Sequence, residues 1–276
     1  MKKSFTNIGL CIVCLIVFLL SCKKETAAVK TVLLNKVYRN GLLANQYFYD
    51  AQKGPYRMNR YSVSHGQSSF VGYQLYLYNN NGQVSEVDYF DKGNEIQQVL
   101  TLIYGVNGEL KRLNDGDQNG DLLQYYTFQY NADETLSKFE IKSGATNKIL
   151  SEAIYSYSNS KKLTKQIRNS IKNGNFVLFD STTYSTGKTL PANWNYFEML
   201  PVIGLLTSNR LFFDMTLESS FSYKTSVTPE KNTYSFTNKV YNSGGYLISQ
   251  RIGLKTEYIG PIVTTNDEMS YEYIEL

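Results

Sequence analysis

The chain has 276 residues, a formal net charge of +4, and 24 tyrosines and 14 phenylalanines against a single tryptophan. A protein whose net charge is this close to neutral lacks the basic surface that nucleic-acid binding requires, so we expect no nucleic-acid partner. The chain has one histidine, and its three cysteines all lie within the first 22 residues, where we expect a cleaved signal and an acylated cysteine, so too few ligands remain for a zinc site.

Residues 1–21 have the pattern of a secretory signal. Lys2 and Lys3 form a basic start, and residues 9–20 are apolar without a charge. This run is shorter than the ~20 residues of a spanning helix, and it fits the apolar core of a signal peptide. The sequence LLSC that ends at Cys22 resembles the lipobox of bacterial lipoproteins, in which a peptidase cuts before the cysteine and the thiol is acylated. The alternative is an uncleaved N-terminal anchor helix.

Cleavage before Cys22 decides the cysteine chemistry of the mature chain. Cys11 and Cys14 leave with the signal, so neither a free thiol nor a disulfide remains, and the fold depends on its core. Loss of two lysines and no acidic residue lowers the formal charge from +4 to about +2. We predict a signal peptide at 1–21, a lipidated tether at 22–30 and one domain at 31–276, attached to the lipid bilayer of the outer membrane. Its periplasmic or cell-surface orientation stays open.

A tyrosine, a polar turn and an apolar residue recur along the domain. Successive tyrosines from Tyr78 to Tyr184 are separated by 26, 26, 27 and 27 residues, a period typical of repeat architectures. The pairs are Tyr78/Val84, Tyr104/Leu110, Tyr130/Leu136, Tyr157/Leu163, Tyr184/Leu190 and Tyr241/Leu247.

The physical interpretation of the repeat is a β-hairpin. Asn and Gly accept the positive φ that tight turns between twisted strands require, and the flanks are rich in the Tyr, Phe, Val, Ile and Thr that strands prefer. Two strands per period predict an all-β antiparallel meander of tandem hairpins with about 14–16 strands. Charged residues within the predicted strands, such as Glu86, Arg112 and Lys138, oppose a lipid-facing sheet. We therefore predict a soluble, barrel-like sheet.

The hairpins also support a family resemblance. Together with the lipobox and the terminal YEYIEL, they resemble an uncharacterised lipoprotein domain of the Bacteroidota with a porin-like fold, and individually they are similar to YD repeats of bacterial surface proteins. The resemblance covers residues from about 35 to 276. It implies an architecture and an envelope location, and it implies no biochemical activity.

The period breaks at an apolar insert, residues 190–215. It contains the only tryptophan, Trp194, with Tyr196 and Phe197 close by. One interpretation is an apolar plug that fills the sheet or covers an open end. The other is an aromatic platform of Trp194, Tyr196 and Phe197 against which a sugar ring or a peptide stacks.

The sequence NDGDQNGD, residues 114–121, is the best candidate for a metal site. Asp115, Asp117 and Asn119 followed by Gly120 match the first half of a calcium-loop signature, and Asp121 offers a further oxygen. The position of the bidentate glutamate of an EF-hand holds Tyr126 instead. The alternative is an ordinary turn built from DG and NG dipeptides, so Ca²⁺ is a candidate ligand of weak affinity.

For catalysis the sequence offers little. His65 is the only histidine, and carboxylate pairs such as Glu86 with Asp88 are explained equally well by a solvated sheet face. We predict no enzyme activity and a lipid-anchored binding or scaffolding module whose ligand is a glycan or an envelope protein. A purely structural envelope protein is the alternative, and an exported hydrolase using Glu or Asp pairs is a third hypothesis.

The lipobox makes a direct prediction about acylation. Because the thiol of Cys22 is the predicted acceptor, Cys22→Ala should abolish metabolic labelling of the protein with palmitate. Cys14→Ala, which changes a cysteine of the signal itself, should keep the label. Labelling that persists in the Cys22→Ala protein would refute the lipobox.

Overall fold

A computed structural model of the chain describes residues 32–50, 54–161, 163–184, 221–225, 231–257 and 262–275, and its regular structure there is entirely β-strand. The sixteen strands in this described part are β1 (Val32–Arg39), β2 (Leu42–Tyr49), β3 (Pro55–Ser64), β4 (Gln67–Tyr78), β5 (Val84–Asp91), β6 (Ile96–Tyr104), β7 (Leu110–Gly116), β8 (Leu122–Tyr130), β9 (Leu136–Ser143), β10 (Ile149–Tyr157), β11 (Leu163–Lys172), β12 (Asn175–Tyr184), β13 (Phe221–Thr225), β14 (Lys231–Tyr241), β15 (Leu247–Glu257) and β16 (Val263–Glu275).

Every strand pairs antiparallel with the next one in the chain, from β1 with β2 to β15 with β16. β16 also lies beside β1, so the strand order is that of a closed barrel. The predicted all-β meander of about 14–16 strands is therefore confirmed. Within the described residues, no helix is long and apolar enough to cross a membrane.

Side-chain contacts add to the hydrogen-bonded pairing of β1 with β16. One main-chain bond joins the Asn40 N–H to the Glu268 carbonyl at 2.7 Å. Lys36 Nζ lies 3.0 Å from Glu272, and Arg39 Nη2 lies 2.8 Å from Asp267. These contacts belong to a compact unit that runs from Leu34 to Ile274.

Alternate turns of the meander lie at opposite ends of the strands. We call the end with the turns that follow Tyr49, Tyr78, Tyr104, Tyr130, Tyr157 and Tyr241 the tyrosine end, and the other the opposite end. The fourth turn residue has a positive φ, which Gly82 (74°) adopts at no steric cost. Glu134 (68°) and Lys161 (59°) adopt the same conformation in copies that lack the glycine.

Each tyrosine turn is coupled to a β-bulge. The pairing register shifts between Leu77 and Tyr78, and again at the same point before Tyr104, Tyr130 and Tyr157. In a regular strand, residues two positions apart face the same side of the sheet. Across the bulge, which inserts one extra residue, residues three positions apart face the same side. Both members of each such pair are buried, as in Val84 with Val87, Leu110 with Leu113, and Leu136 with Phe139.

The tyrosines join neighbouring hairpins by a repeated hydrogen bond, which we call the tyrosine staple. The Tyr104 hydroxyl donates a hydrogen bond of 2.8 Å to the carbonyl of Val84. Val84 is the first strand residue after the preceding tyrosine turn. Burial raises the pKa of Tyr104 to about 12, which extends the pH range over which the hydroxyl stays a donor. The other described staples are Tyr49 to Leu34, Tyr78 to Pro55, Tyr130 to Leu110, Tyr157 to Leu136 and Tyr273 to Leu247.

A single staple can be removed with almost no change of volume. Tyr130→Phe deletes the bond of 2.9 Å to the Leu110 carbonyl and leaves that acceptor without its partner. The free energy of unfolding should fall by about 1 kcal/mol, which lowers Tm by roughly 2–4 °C for a domain of this size. The control is Tyr56→Phe, at a ring that is 44% exposed. Equal Tm values for the two variants would contradict a stabilising role of the staple.

Candidate functional site

The interior of the barrel is apolar near the tyrosine end. Val87, Leu110, Leu113, Leu136 and Phe139 are completely buried there, because the bulges turn two residues of each strand inward. Their neighbours on adjacent strands extend the same cluster. The described residues of this half of the interior form a packed hydrophobic core.

A layer of glutamine–tyrosine pairs borders this core. The Tyr76 hydroxyl donates to Gln74 Oε1 at 2.7 Å, and Gln124 Nε2 donates to the Tyr126 hydroxyl at 3.0 Å. The same pairing joins Gln166 with Tyr155 and Gln250 with Tyr271. Burial raises the pKa of Tyr76 well above its usual value, with smaller contributions from neighbouring tyrosines. The pairs place polar groups inside the barrel without leaving the tyrosine hydroxyls unbonded.

One buried carboxylate lies in this layer. Asp115, which is 6% exposed, accepts a hydrogen bond from Gln98 Nε2 at 2.6 Å and one from Gln124 Nε2 at 2.9 Å. Leu100 and Gln124 are its cross-strand partners, so the carboxylate lies on the inner face of the sheet. Each oxygen of the buried carboxyl thus accepts one amide N–H, which satisfies its need for hydrogen-bond partners.

A buried ion pair lies further along the sheet. Arg168 Nε donates to Asp180 Oδ1 at 2.8 Å, and Arg168 Nη2 contacts Asp180 Oδ2, so the pairing is bidentate. Arg168 is the cross-strand partner of buried Ala153, which places the pair on the inner face. Each charge is neutralised by the other, as burial requires.

Two hydrogen-bond donors on the inner face lack an acceptor among the described residues. Asn45 and Arg60 are cross-strand partners on β2 and β3. Within the part of the chain that the structure describes, neither Asn45 Nδ2 nor Arg60 Nε has a hydrogen-bond partner, although both atoms are shielded from water. Arg60 Nη2 reaches the Phe90 carbonyl at 3.4 Å, beyond the usual range for such a bond. Both donors are therefore buried without an acceptor.

Several residues that the sequence singled out lie outside the described residues. They are Cys22 and the three aromatic residues of the insert, Trp194, Tyr196 and Phe197. The predicted acylation site and the predicted aromatic platform therefore stay predictions, as does the position of the insert at 190–215.

The predicted calcium loop is divided between two environments. Asp115 faces the interior and is bonded to Gln98 and Gln124. Asp117 Oδ1 accepts main-chain bonds from Asn119 at 2.8 Å and from Asp121 at 2.9 Å. Among the described residues, no group of three or more acidic, histidine or cysteine side chains is arranged to bind a metal. Calcium binding stays a prediction, and it requires Asp115 to leave its two amides.

The turn itself explains much of that sequence. Asn79, Asp91 and Asn242 occupy the first position of other turns, and each accepts the same two main-chain bonds through Oδ1. Asp117 is therefore one more copy of a repeated side-chain-capped turn. An alignment of the turns against each other, rather than against a calcium signature, would have found this.

Glu86 and Asp88 lie on the outer face of β5. Their cross-strand partners on β6 are Thr101 and Val99, whereas inward-facing Val87 pairs with Leu100. Partial burial raises the pKa of both carboxyls, and the charge of Asp88 adds to the shift of Glu86. The two groups thus lie on the opposite side of the sheet from Asp115 and Asp180.

Sequence inspection missed the polar inner layer. The spacing Gln-x-Tyr in Gln74/Tyr76 and Gln124/Tyr126 was a usable signal, because residues two apart on a strand share a face. No comparable signal marks Arg60. Arg57 lies three residues earlier on the outer face, bonded to Asn59 and stacked 4.0 Å above the Tyr73 ring.

Comparison with known proteins gives a fold. No family model and no curated protein matches the sequence. A porin-like protein from Bacteroides uniformis is similar in structure, with a TM-score of 0.51 and 13% identity over 90% of this chain and 94% of the other. A porin-like protein from Bacteroides vulgatus gives a TM-score of 0.40 at 10% identity over 87% and 98%. TcdB2-TccC3 gives 0.26 at 12% identity over 84% of this chain and 15% of the other. The chain and the Bacteroides uniformis protein share an all-β fold.

The role of Asp115 is open to a stability measurement. Asp115→Ala removes the acceptor of two partly buried amides and should lower the free energy of unfolding in urea by about 2–4 kcal/mol. Asp121→Ala is the control, since this exposed residue contributes its main chain to the turn and should change stability by no more than about 0.5 kcal/mol. If the loop binds calcium, Ca²⁺ should raise the Tm of the parent protein. The same addition should leave the Tm of both variants unchanged.

Proposed function

We propose that the chain is a lipid-anchored protein of the outer membrane that acts as a binding or scaffolding module of the cell envelope. Acylation of Cys22 would attach it to the bilayer, and the barrel would present its polar interior to a ligand. The ligand is a glycan or another envelope protein. This function requires no reaction to be catalysed.

Two observations support the envelope location. Residues 1–22 have the order of a basic start, an apolar run and a lipobox cysteine, which is typical of exported lipoproteins. The fold is shared with a porin-like protein from Bacteroides uniformis. Porin-like proteins are associated with the envelope, and we extend this association to the present chain.

The pair of unmatched donors at Asn45 and Arg60 is the observation that carries the binding role. A buried donor without an acceptor costs about 1–3 kcal/mol, so a fold with no further use for it gains by replacing it. A ligand that supplies oxygen acceptors removes this cost only when it is bound. The glutamine–tyrosine layer beside the pair supplies amides and ring faces, which suit sugar hydroxyls and sugar rings.

The alternative is a purely structural envelope protein. The packed core and the tyrosine staples favour it, because they stabilise the barrel without any ligand. The platform of Trp194, Tyr196 and Phe197 and a Ca²⁺ ion in the 115–121 loop stay proposals beside the binding role. An exported hydrolase that uses Glu86 and Asp88 stays a third hypothesis.

Thermal unfolding against a panel of polysaccharides tests the binding role. A ligand present at a hundred times its dissociation constant stabilises the folded state by about 2.7 kcal/mol, which raises Tm by roughly 5–10 °C here. We expect one class of glycan to give such a shift and the others to give none. A panel without any shift would contradict glycan binding and favour a structural protein or one that binds a protein partner.

A further inference from the structure

Arginine pairing differs at one place in the barrel. The structure describes six arginines, and five of them donate to a side-chain acceptor at 2.5–2.8 Å. These pairs are Arg39 with Asp267, Arg57 with Asn59, Arg112 with Asn114, Arg168 with Asp180 and Arg251 with Glu268. Arg60 is the exception among the described arginines, because its one hydrogen bond is the 3.4 Å contact to the Phe90 carbonyl.

Apolar, aromatic and glycine residues lie around Arg60. Met58, two residues earlier on the same face, is buried, and Val37 lies opposite Asn45 and is buried as well. The guanidinium carbon lies 5.4 Å from the centre of the Tyr89 ring. The cross-strand partner of Arg60 is Gly72, which has no side chain to compete for its charge.

Asn45 adds a second hydrogen-bond donor beside Arg60. It is 1% exposed and adjacent to Arg60 across the two strands, and its Nδ2 has no acceptor within the described residues. Arg60 is half-buried, which leaves part of its side chain within reach of a ligand. The guanidinium and the amide thus offer N–H donors from cross-strand neighbours, and guanidinium donors pair well with the two oxygens of a carboxylate.

We propose that Asn45 and Arg60 form a recognition site for the carboxylate of an acidic sugar, a uronate, inside the barrel. This deepens the proposed function and rests on it. One positive charge matches the single negative charge of a carboxylate, whereas a phosphate dianion would leave a negative charge buried beside Met58 and Val37. The Tyr89 ring, whose centre lies 5.4 Å from the guanidinium carbon, would offer an aromatic surface to the attached sugar.

The test is isothermal titration of the full-length protein in detergent. The probes are polygalacturonate, alginate and hyaluronate, with methyl-esterified polygalacturonate and dextran as uncharged counterparts. The variants are Arg60→Gln and Arg57→Gln, which remove one arginine each from opposite faces of the same strand. The Tm of each unliganded variant is measured in parallel to show that it folds.

The site predicts that a uronate polysaccharide binds and that its uncharged counterparts do not. Arg60→Gln should weaken this binding at least about tenfold, the loss of one charge-assisted pair, and Arg57→Gln should leave it unchanged. If Arg60→Gln does not fold, the comparison of free and esterified polygalacturonate on the parent protein still decides the role of the carboxylate.

Other results overturn the inference in distinguishable ways. Binding of dextran or of the methyl ester as tightly as the acid would retain a glycan-binding module and remove the carboxylate site. Equal effects of Arg60→Gln and Arg57→Gln would place the uronate elsewhere on the protein. Absence of binding to every polysaccharide would refute both the uronate site and the glycan form of the proposed function.

Discussion

The tyrosine staple is the interaction on which the arrangement of this barrel depends. Each hydroxyl donates to a main-chain carbonyl of the preceding repeat, as Tyr104 does to Val84 and Tyr130 does to Leu110. The bond fixes the distance between one hairpin and the next at the level of the turn, while the adjoining bulge turns two apolar residues inward. Turn, bulge, staple and core thus form one repeated unit, and the repeated tyrosine in the sequence is its visible trace.

This unit also explains why the polar groups lie where they do. The bulges concentrate apolar side chains near the tyrosine end, so inward positions further along the strands are left to Gln, Asp and Arg. Most of these groups are matched within the barrel, as Asp115 is by two amides and Arg168 by Asp180. The unmatched pair of Asn45 and Arg60 stands out against this background, which is why it carries the binding proposal.

The sequence predicted the local structure well because turns and strands are specified locally. The spacing of Tyr78, Tyr104 and Tyr130 located the hairpins, and the predicted number of strands agrees with the sixteen described. The staples could not be predicted, since each acceptor lies about twenty residues earlier in the chain. The environment of Asp115 was missed for a related reason. The bulge between Asp115 and Gly116 separates the inward carboxylate from Asp117 in the turn, whereas the linear sequence placed both in one loop.

Amide hydrogen exchange, followed by mass spectrometry, tests most directly whether the stapled end holds the fold together. Exchange rates report local stability along the chain. We predict the slowest exchange around residues 84–87, 110–113 and 136–139, which adjoin the staples, and fast exchange in the hairpin ends at 62–70 and 172–179. Uniform protection, or faster exchange at the tyrosine end than at the opposite end, would contradict it.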